Sequence, residues 1–256
     1  MDIDVWTSRH LQHESQGMEL VSENPIPVNE VNVAAMETQT VTPPTGKSEL
    51  PDPTQDQSVV GIEEPAESGV KWSTLAEIGT AVLSCNRCRL SENRTNGVPG
   101  EGHGQADWMF IGEGPGQNED LQGRPFVGRA GQLLDAMIKA LGMNREDVFI
   151  ANVVKCRPPG NRDPKPDEVS ACIGYLNAQI DLIKPRVIVV LGRIAAQALL
   201  QSTEPLARLR GKTHYFSDQQ IPMVVTYHPA YLLRSPEQKA KAWDDLWKAK
   251  TLTLAS

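Results

Sequence analysis

The sequence predicts an α/β domain in which a four-stranded parallel sheet is flanked by helices on both faces, preceded by a tail that does not join it. Three observations carry this. Four short runs, 107–112, 148–154, 187–191 and 222–227, are nearly continuous in apolar β-branched or aromatic residues, the pattern of strands buried on both faces. Stretches with apolar residues at three- and four-residue steps separate them, and strand–helix alternation builds parallel sheets covered on both sides. Residues 1–69 differ in composition: thirteen acidic and two basic side chains, many Pro, Gln, Ser and Thr, few aromatics.

Such a leading segment cannot bury enough apolar surface to offset the entropy of ordering. Residues 1–69 are therefore read as a disordered acidic tail and 70–256 as the folded domain. A short helical pattern at 5–11 is the tail's one local feature. The tail reads as a solvated segment or, functionally, as an arm for a partner protein. The domain opens with a helix whose Trp72, Leu75, Ile78 and Val82 share a face, with Ser73 as its N-cap. It leads into Cys85-Asn86-Arg87-Cys88. A second helix carries Leu133, Leu134, Met137, Ile138 and Leu141 and ends at Gly142. A third spans 166–183, with Asp163 or Asp167 near its start, and a fourth covers 195–200. A helix over 237–248 closes the domain, with Trp243, Leu246 and Trp247 expected inward.

The net charge of −7 conceals two halves. The tail accounts for −11, which leaves 19 acids and 23 bases in residues 70–256, a net of +4. That balance is compatible with a phosphate-backbone partner without requiring one. No run of eighteen apolar residues occurs, so no membrane span is expected. A basic start followed by an apolar run is also missing, so no secretory signal is expected and the cytoplasm is the expected address.

Two groups of residues carry chemistry. Cys85, Cys88, Cys156 and Cys172 are all the cysteines of the chain, and all fall in the basic part. The C-x-x-C spacing lets two thiolates bind one centre, and in a cytosolic chain four such residues read better as metal ligands than as disulfides. Spacing alone leaves zinc, an iron–sulfur cluster and four small buried side chains open. The other group follows the strands: Glu113, Gly114, Pro115 and Gly116 after the first, Asn152 late in the second, His228 after the fourth. In open parallel sheets ligands bind at the carboxyl edge, so these distant residues are expected to meet. The glycine-rich loop is no Walker loop, since no Gly-Lys-Ser/Thr follows, but it permits close approach to a ligand. Asn152 in an apolar strand is hard to explain as packing, because a buried amide is costly unless bonded.

The stretches GEGPGQNED (112–120), GRPFVGRAGQLLD (123–135), NVVKCRPPGNRDP (152–164) and HPAYLLR (228–234), with C-x-x-C and Cys172, together resemble a family 4 uracil-DNA glycosylase, the iron–sulfur branch of the uracil-DNA glycosylase superfamily. The resemblance runs from about Trp72 to Trp247 and leaves residues 1–69 uncovered. It implies a monofunctional DNA glycosylase that flips uracil out of DNA and hydrolyses its N-glycosidic bond, the first step of base excision repair. It also implies one structural 4Fe–4S cluster held by Cys85, Cys88, Cys156 and Cys172.

The resemblance assigns roles residue by residue. Phe126 is the aromatic on which uracil stacks, and Asn152 reads its edge, since an amide offers both a donor and an acceptor. His228 donates a hydrogen bond to uracil O2, and Gly114, counted with the substrate-binding residues, offers an amide that can approach a phosphate. Glu113 and Glu119 are the acidic pair; one holds the attacking water, and Glu119 is alternatively the wall that excludes the thymine methyl. Gly116, Arg234, Ser235, Lys155 and Arg157 are expected at the DNA backbone, and Leu232 and Leu233 as an apolar wedge or as core. A covalent-trapping relative is a second reading, for which the basic stretch 208–214 with His214 is short. A third is a DNA-binding module without activity. The expected partners are uracil-containing DNA and, through the tail, a replication or repair protein. A monomer associated with the nucleoid is expected, with no membrane contact.

Overall fold

The computed structural model describes residues 71–254 except 218. The tail 1–69 and the helical pattern at 5–11 lie outside the described residues. Six strands form one sheet: β1 (Glu101–Gly102), β2 (Trp108–Gly112), β3 (Phe149–Asn152), β4 (Val187–Leu191), β5 (Thr213–Phe216) and β6 (Ile221–Thr226), in the order β1-β3-β2-β4-β6-β5. The four expected strands are its parallel centre. The expected count of four is corrected to six by antiparallel edges, β1 on β3 and β5 on β6. Neither edge has an apolar run: β1 is two residues long, and β5 is only half-buried.

Alternation along the strands divides the core. Met109, Ile111, Ile188, Val190, Met223 and Val225 face one layer, which holds α1 (Leu75–Leu83), α4 (Pro166–Ile183) and α5 (Arg193–Leu200). Phe110, Ile150, Val187, Val189 and Val224 face the other, with α3 (Arg129–Ala140) and α8 (Lys239–Leu254). Three short helices, α2 (Gln117–Gln122), α6 (Leu206–Leu209) and α7 (Pro229–Arg234), lie in the connections. After β2 the chain crosses by α3 to β3, then returns by α4 on the opposite face to β4, beyond β2. This reversal opens a crevice at the carboxyl ends of β2, β3 and β4. No described helix is long and apolar enough to cross a membrane.

Local chemistry moves several expected details. Thr74, not Ser73, caps α1: its Oγ1 accepts from the Glu77 N–H at 3.2 Å, while the Glu77 carboxylate accepts from the Ser73 N–H at 2.7 Å. Helix α4 starts at Pro166, with the Glu168 carboxylate folded back on the Lys165 N–H, and Asp163 instead pairs with Arg193. Trp247 is 51% exposed rather than inward. The buried stripe of α8 runs through Ala242, Leu246 and Ala249, and one residue past Leu246 points about 100° away.

Arg210 joins three elements. Its guanidinium pairs with the nearly buried Asp245 of α8 at 2.7 Å, donates to the Lys241 carbonyl and lies 4.0 Å over the Tyr227 ring. Removing one partner of such a pair leaves an uncompensated charge. Arg210→Ala is expected to lower the free energy of unfolding by about 3 kcal/mol, measured by urea denaturation.

Candidate active site

At the carboxyl edge lies a cavity of about 460 Å³ that brings Glu113, Gly114, Glu119, Phe126, Asn152 and His228 to one lining. All six expected pocket residues are therefore neighbours, although 115 positions separate the first from the last.

Asn152 ends β3 with its side chain 2% exposed and its Oδ1 without any hydrogen-bond partner. A buried, orphaned carbonyl oxygen is costly and calls for an explanation, here a ligand that would donate to it. Gly112, opposite Asn152 in the β2–β3 register, makes this placement possible. A Cβ at Gly112 would stand 2.5 Å from Asn152 Oδ1 and 2.6 Å from the Phe126 ring, so only glycine admits both side chains.

Phe126 is held in a left-handed backbone, φ 50°, a strained conformation for a bulky residue. Three residues hold it. Arg145 donates to the Pro125 carbonyl at 2.6 Å and to the Phe126 carbonyl at 3.3 Å, itself fixed by Glu101 and Asp135. On the other side Glu119 Oε1 accepts from the Val127 and Gly128 N–H groups at 2.9 and 3.0 Å. Gly131 completes the clamp, since a Cβ there would collide with the Phe126 carbonyl. Glu119 thus both shapes the aromatic loop and lines the cavity. Asp120, which had no role in the sequence reading, is buried and anchors the 95–96 backbone.

His228 caps α7: its Nδ1 accepts from the Ala230 N–H at 3.1 Å, which leaves Nε2 as the protonated nitrogen. Burial, reinforced by Arg234, pushes its pKa down to about 4. Its ring stacks on Phe126 with centroids 5.6 Å apart. A neutral imidazole with an Nε2–H donor results. Glu113 moves the other way: burial and the nearby Asp163 push its carboxyl up to about 7, against the pull of Arg193. The Val154 N–H on its carbonyl keeps Glu113 beside β3.

Some expected contacts are corrected. Lys155 is 1% exposed, and its ammonium donates inward to the Asn152 carbonyl and Gln179, so it does not reach a phosphate. Leu232 is fully buried and Leu233 packs against the core, which rules out Leu232 as a wedge. Tyr231, 37% exposed, lines the cavity instead. Arg234 also lines the cavity. His214 bonds the Leu209 carbonyl on the edge strand and takes no part in the lining.

The four cysteines are unpaired, Cys156 and Cys172 buried and Cys85 and Cys88 half-buried. Two sulfurs already receive N–H donors: Arg94 on Cys156 at 2.9 Å and the Lys155 backbone on Cys172 at 3.2 Å. Arg94 also binds the Val82, Leu83 and Cys85 carbonyls, tying the end of α1 to Cys156. Burial pushes the Cys172 thiol up to about 12, opposed by Lys155. Among the described residues no three His, Cys, Asp or Glu side chains stand close enough for a single metal ion. The donor set of four thiols, with N–H groups on the sulfurs, fits a thiolate-held iron–sulfur group.

Comparison with known proteins agrees with this geometry. A family model described as the uracil DNA glycosylase superfamily matches residues 99–247. A type-4 uracil-DNA glycosylase of Sulfurisphaera tokodaii is 46% identical over 71% of this chain and 86% of its own length. Proteins of the same description from Archaeoglobus fulgidus and Saccharolobus solfataricus are 42% and 46% identical, each over 68% of this chain and over 91% and 83% of their own lengths.

Two outcomes follow from the clamp and from Glu113. Gly131→Ala drives a methyl into the Phe126 backbone and is expected to lower base release at least about tenfold while the fold persists, read by single-turnover kinetics and circular dichroism. Glu113 binds its proton more tightly folded than unfolded, about 7 against 4.5. Its contribution to stability is complete below the lower value and is lost as pH rises through about 7. Glu113→Gln is therefore expected to melt above wild type at about pH 8, with the difference closing at about pH 4.5, followed by thermal unfolding across pH.

Proposed function

Because the chain belongs to the uracil DNA glycosylase superfamily, in its type-4 branch, we infer that it excises uracil from DNA, hydrolysing the N-glycosidic bond as the first step of repair. One observation carries the reading furthest: the orphaned, buried amide oxygen of Asn152 opens on a cavity shared with Phe126 and His228.

The base must leave the helix before its bond is accessible, at a cost of a few kcal/mol that pocket contacts offset. Phe126 supplies a fixed apolar face for the ring. Asn152 Oδ1 accepts from uracil N3–H while its NH₂ donates to O4; cytosine reverses both, setting its N3 lone pair against the Oδ1 lone pairs and its amino group against the amide NH₂. As the bond breaks, negative charge grows on the uracil. The His228 Nε2–H meets it at O2 as a pre-aimed neutral donor, a stabilisation that develops with the transition state. Glu113, in its ionised form, holds the attacking water and favours the positive sugar. Glu119 positions the Phe126 loop, and its place in the cavity wall supports a role in excluding the thymine methyl.

Gly114 and Arg234 at the cavity, with Gly116 and Ser235 beside them, suit contacts to the DNA backbone. Cys85, Cys88, Cys156 and Cys172 would hold a 4Fe–4S cluster, which supplies a structural tie between loops when bound. Action as a monomer is part of the same proposal. Arg157, half-buried and bonded to Asn161 at 2.7 Å, is kept as a DNA contact within the same proposal.

The test is release of free uracil from a single-uracil oligonucleotide by the purified full chain, with its iron content measured; binding without release would overturn the reading. His228→Ala should slow release about 100-fold with DNA binding retained, by single-turnover and gel-shift measurements. Asn152→Asp should narrow the preference for uracil over cytosine. Release should rise with pH through about 7 as Glu113 ionises, a limb that Glu113→Gln lacks. His228 contributes no limb there, being neutral above about 4.

A further inference from the structure

Between the cavity and the cysteines sits a buried cation that the excision chemistry leaves unused. Lys155 is 1% exposed, and its Nζ donates to the Asn152 carbonyl at 2.9 Å and to Gln179 Oε1 at 2.7 Å. Gln179, itself 2% exposed, passes the tie on by donating to the Pro99 carbonyl at 2.7 Å. Both acceptors of the ammonium are neutral. The confined Arg210, by contrast, faces a carboxylate, that of Asp245. An ammonium taken out of water without an opposite charge is strongly unfavourable, so a negative partner is called for.

The cysteines supply one. The backbone of Lys155 donates to Cys172 Sγ at 3.2 Å, and Cys156 is the next residue. From another side the Arg94 guanidinium stands 2.9 Å from Cys156 Sγ. Arg94 thus touches Cys156, and the charge of Lys155 acts on Cys172. Four thiolates around a 4Fe–4S core carry about two net negative charges, which these cations would balance. Empty, protonated thiols offer no such balance.

We propose that the Lys155 ammonium, with Arg94, is the counter-charge of the four-thiolate centre, and that its bond to the Asn152 carbonyl couples filling of that centre to placement of the base-reading amide. This rests on the reading of the cysteines as cluster ligands. Lys155 is a positioning residue: it touches no substrate, and acts through the end of β3. Coupling of this kind is reciprocal, so a ligand that orders the cavity also secures the cluster.

The full-length holoenzyme is compared with Lys155→Met, which removes the charge, and Gln179→Glu, which sets a carboxylate against it at nearly constant volume. In both variants the reduction potential of the centre should move to more negative values, since losing nearby positive charge favours the oxidised cluster. Iron loss to a chelator should quicken about ten- to a hundredfold. Free uracil should slow iron loss from wild type and have less effect on Lys155→Met. Discrimination between uracil and cytosine should fall about tenfold.

A wild-type chain without iron, or without uracil release, would defeat the functional reading itself. With wild type passing both, an unchanged potential and unchanged iron loss in the variants would overturn the counter-charge. A shifted potential with unaltered base discrimination and unaltered uracil protection would overturn the coupling. If Lys155→Met does not fold, Gln179→Glu decides by the same three readouts.

Discussion

Four parallel strands buried on both faces leave polar side chains almost nowhere to go but the strand ends. Between Trp108 and Gly112, or Val187 and Leu191, every residue is buried, and an unpaired amide or carboxylate there would be prohibitively expensive. The buried polar side chains of these strands, Asn152 and Thr226, stand at the last positions of β3 and β6, and at Asn152 the sheet stops and the cavity begins. The crevice follows from the same constraint, because the chain reverses its direction of travel across the sheet at β2. Loops from β2, β3 and β6 then have one edge in common. A cavity lined by residues distant in sequence is the consequence of how the sheet is covered.

That cavity is built against its own stability. It holds an amide oxygen without a partner, an aromatic residue in a left-handed backbone, a carboxyl raised to about 7 and an imidazole lowered to about 4. Burial drives both shifts, and the two are opposite in effect: it favours the neutral acid and the neutral base. The surrounding clamp makes this tolerable. Arg145 and Glu119 converge on the backbone of residues 125–128, and Gly112 and Gly131 yield the space that Phe126 occupies. Glu119 illustrates how a residue in a signature motif can serve geometry as much as chemistry, since one of its oxygens is committed to two backbone N–H groups.

None of the four cysteines lines the pocket. Arg94 gathers carbonyls from the end of α1, and Lys155 lies between Cys172 and the carbonyl of Asn152. Read along the sequence, Lys155 in a basic, proline-rich stretch suggested a phosphate contact. Its direction could not be read, because Lys155 lies in the bend of residues 153–156 beyond β3, where no strand period applies, and that bend turns it into the core. The same gap explains Leu232 and Trp247. In each case residue type was evident and orientation was not: Leu232 falls on the buried side of a helix only six residues long, and Trp247 just outside the apolar stripe of α8.

The sequence by itself determined the four central strands, the principal helices, the tally of cysteines and six of the residues that line the cavity. These depend on local periodicity and on unusual residue types at strand ends, both of which survive in a linear string. Tertiary structure alone decided the two edge strands, the proton on His228 Nε2, the opposite shifts of Glu113 and His228, and the clamp on Phe126. Each of these depends on desolvation or contact between segments far apart in the chain, and burial is a property of the assembled core rather than of any residue in it.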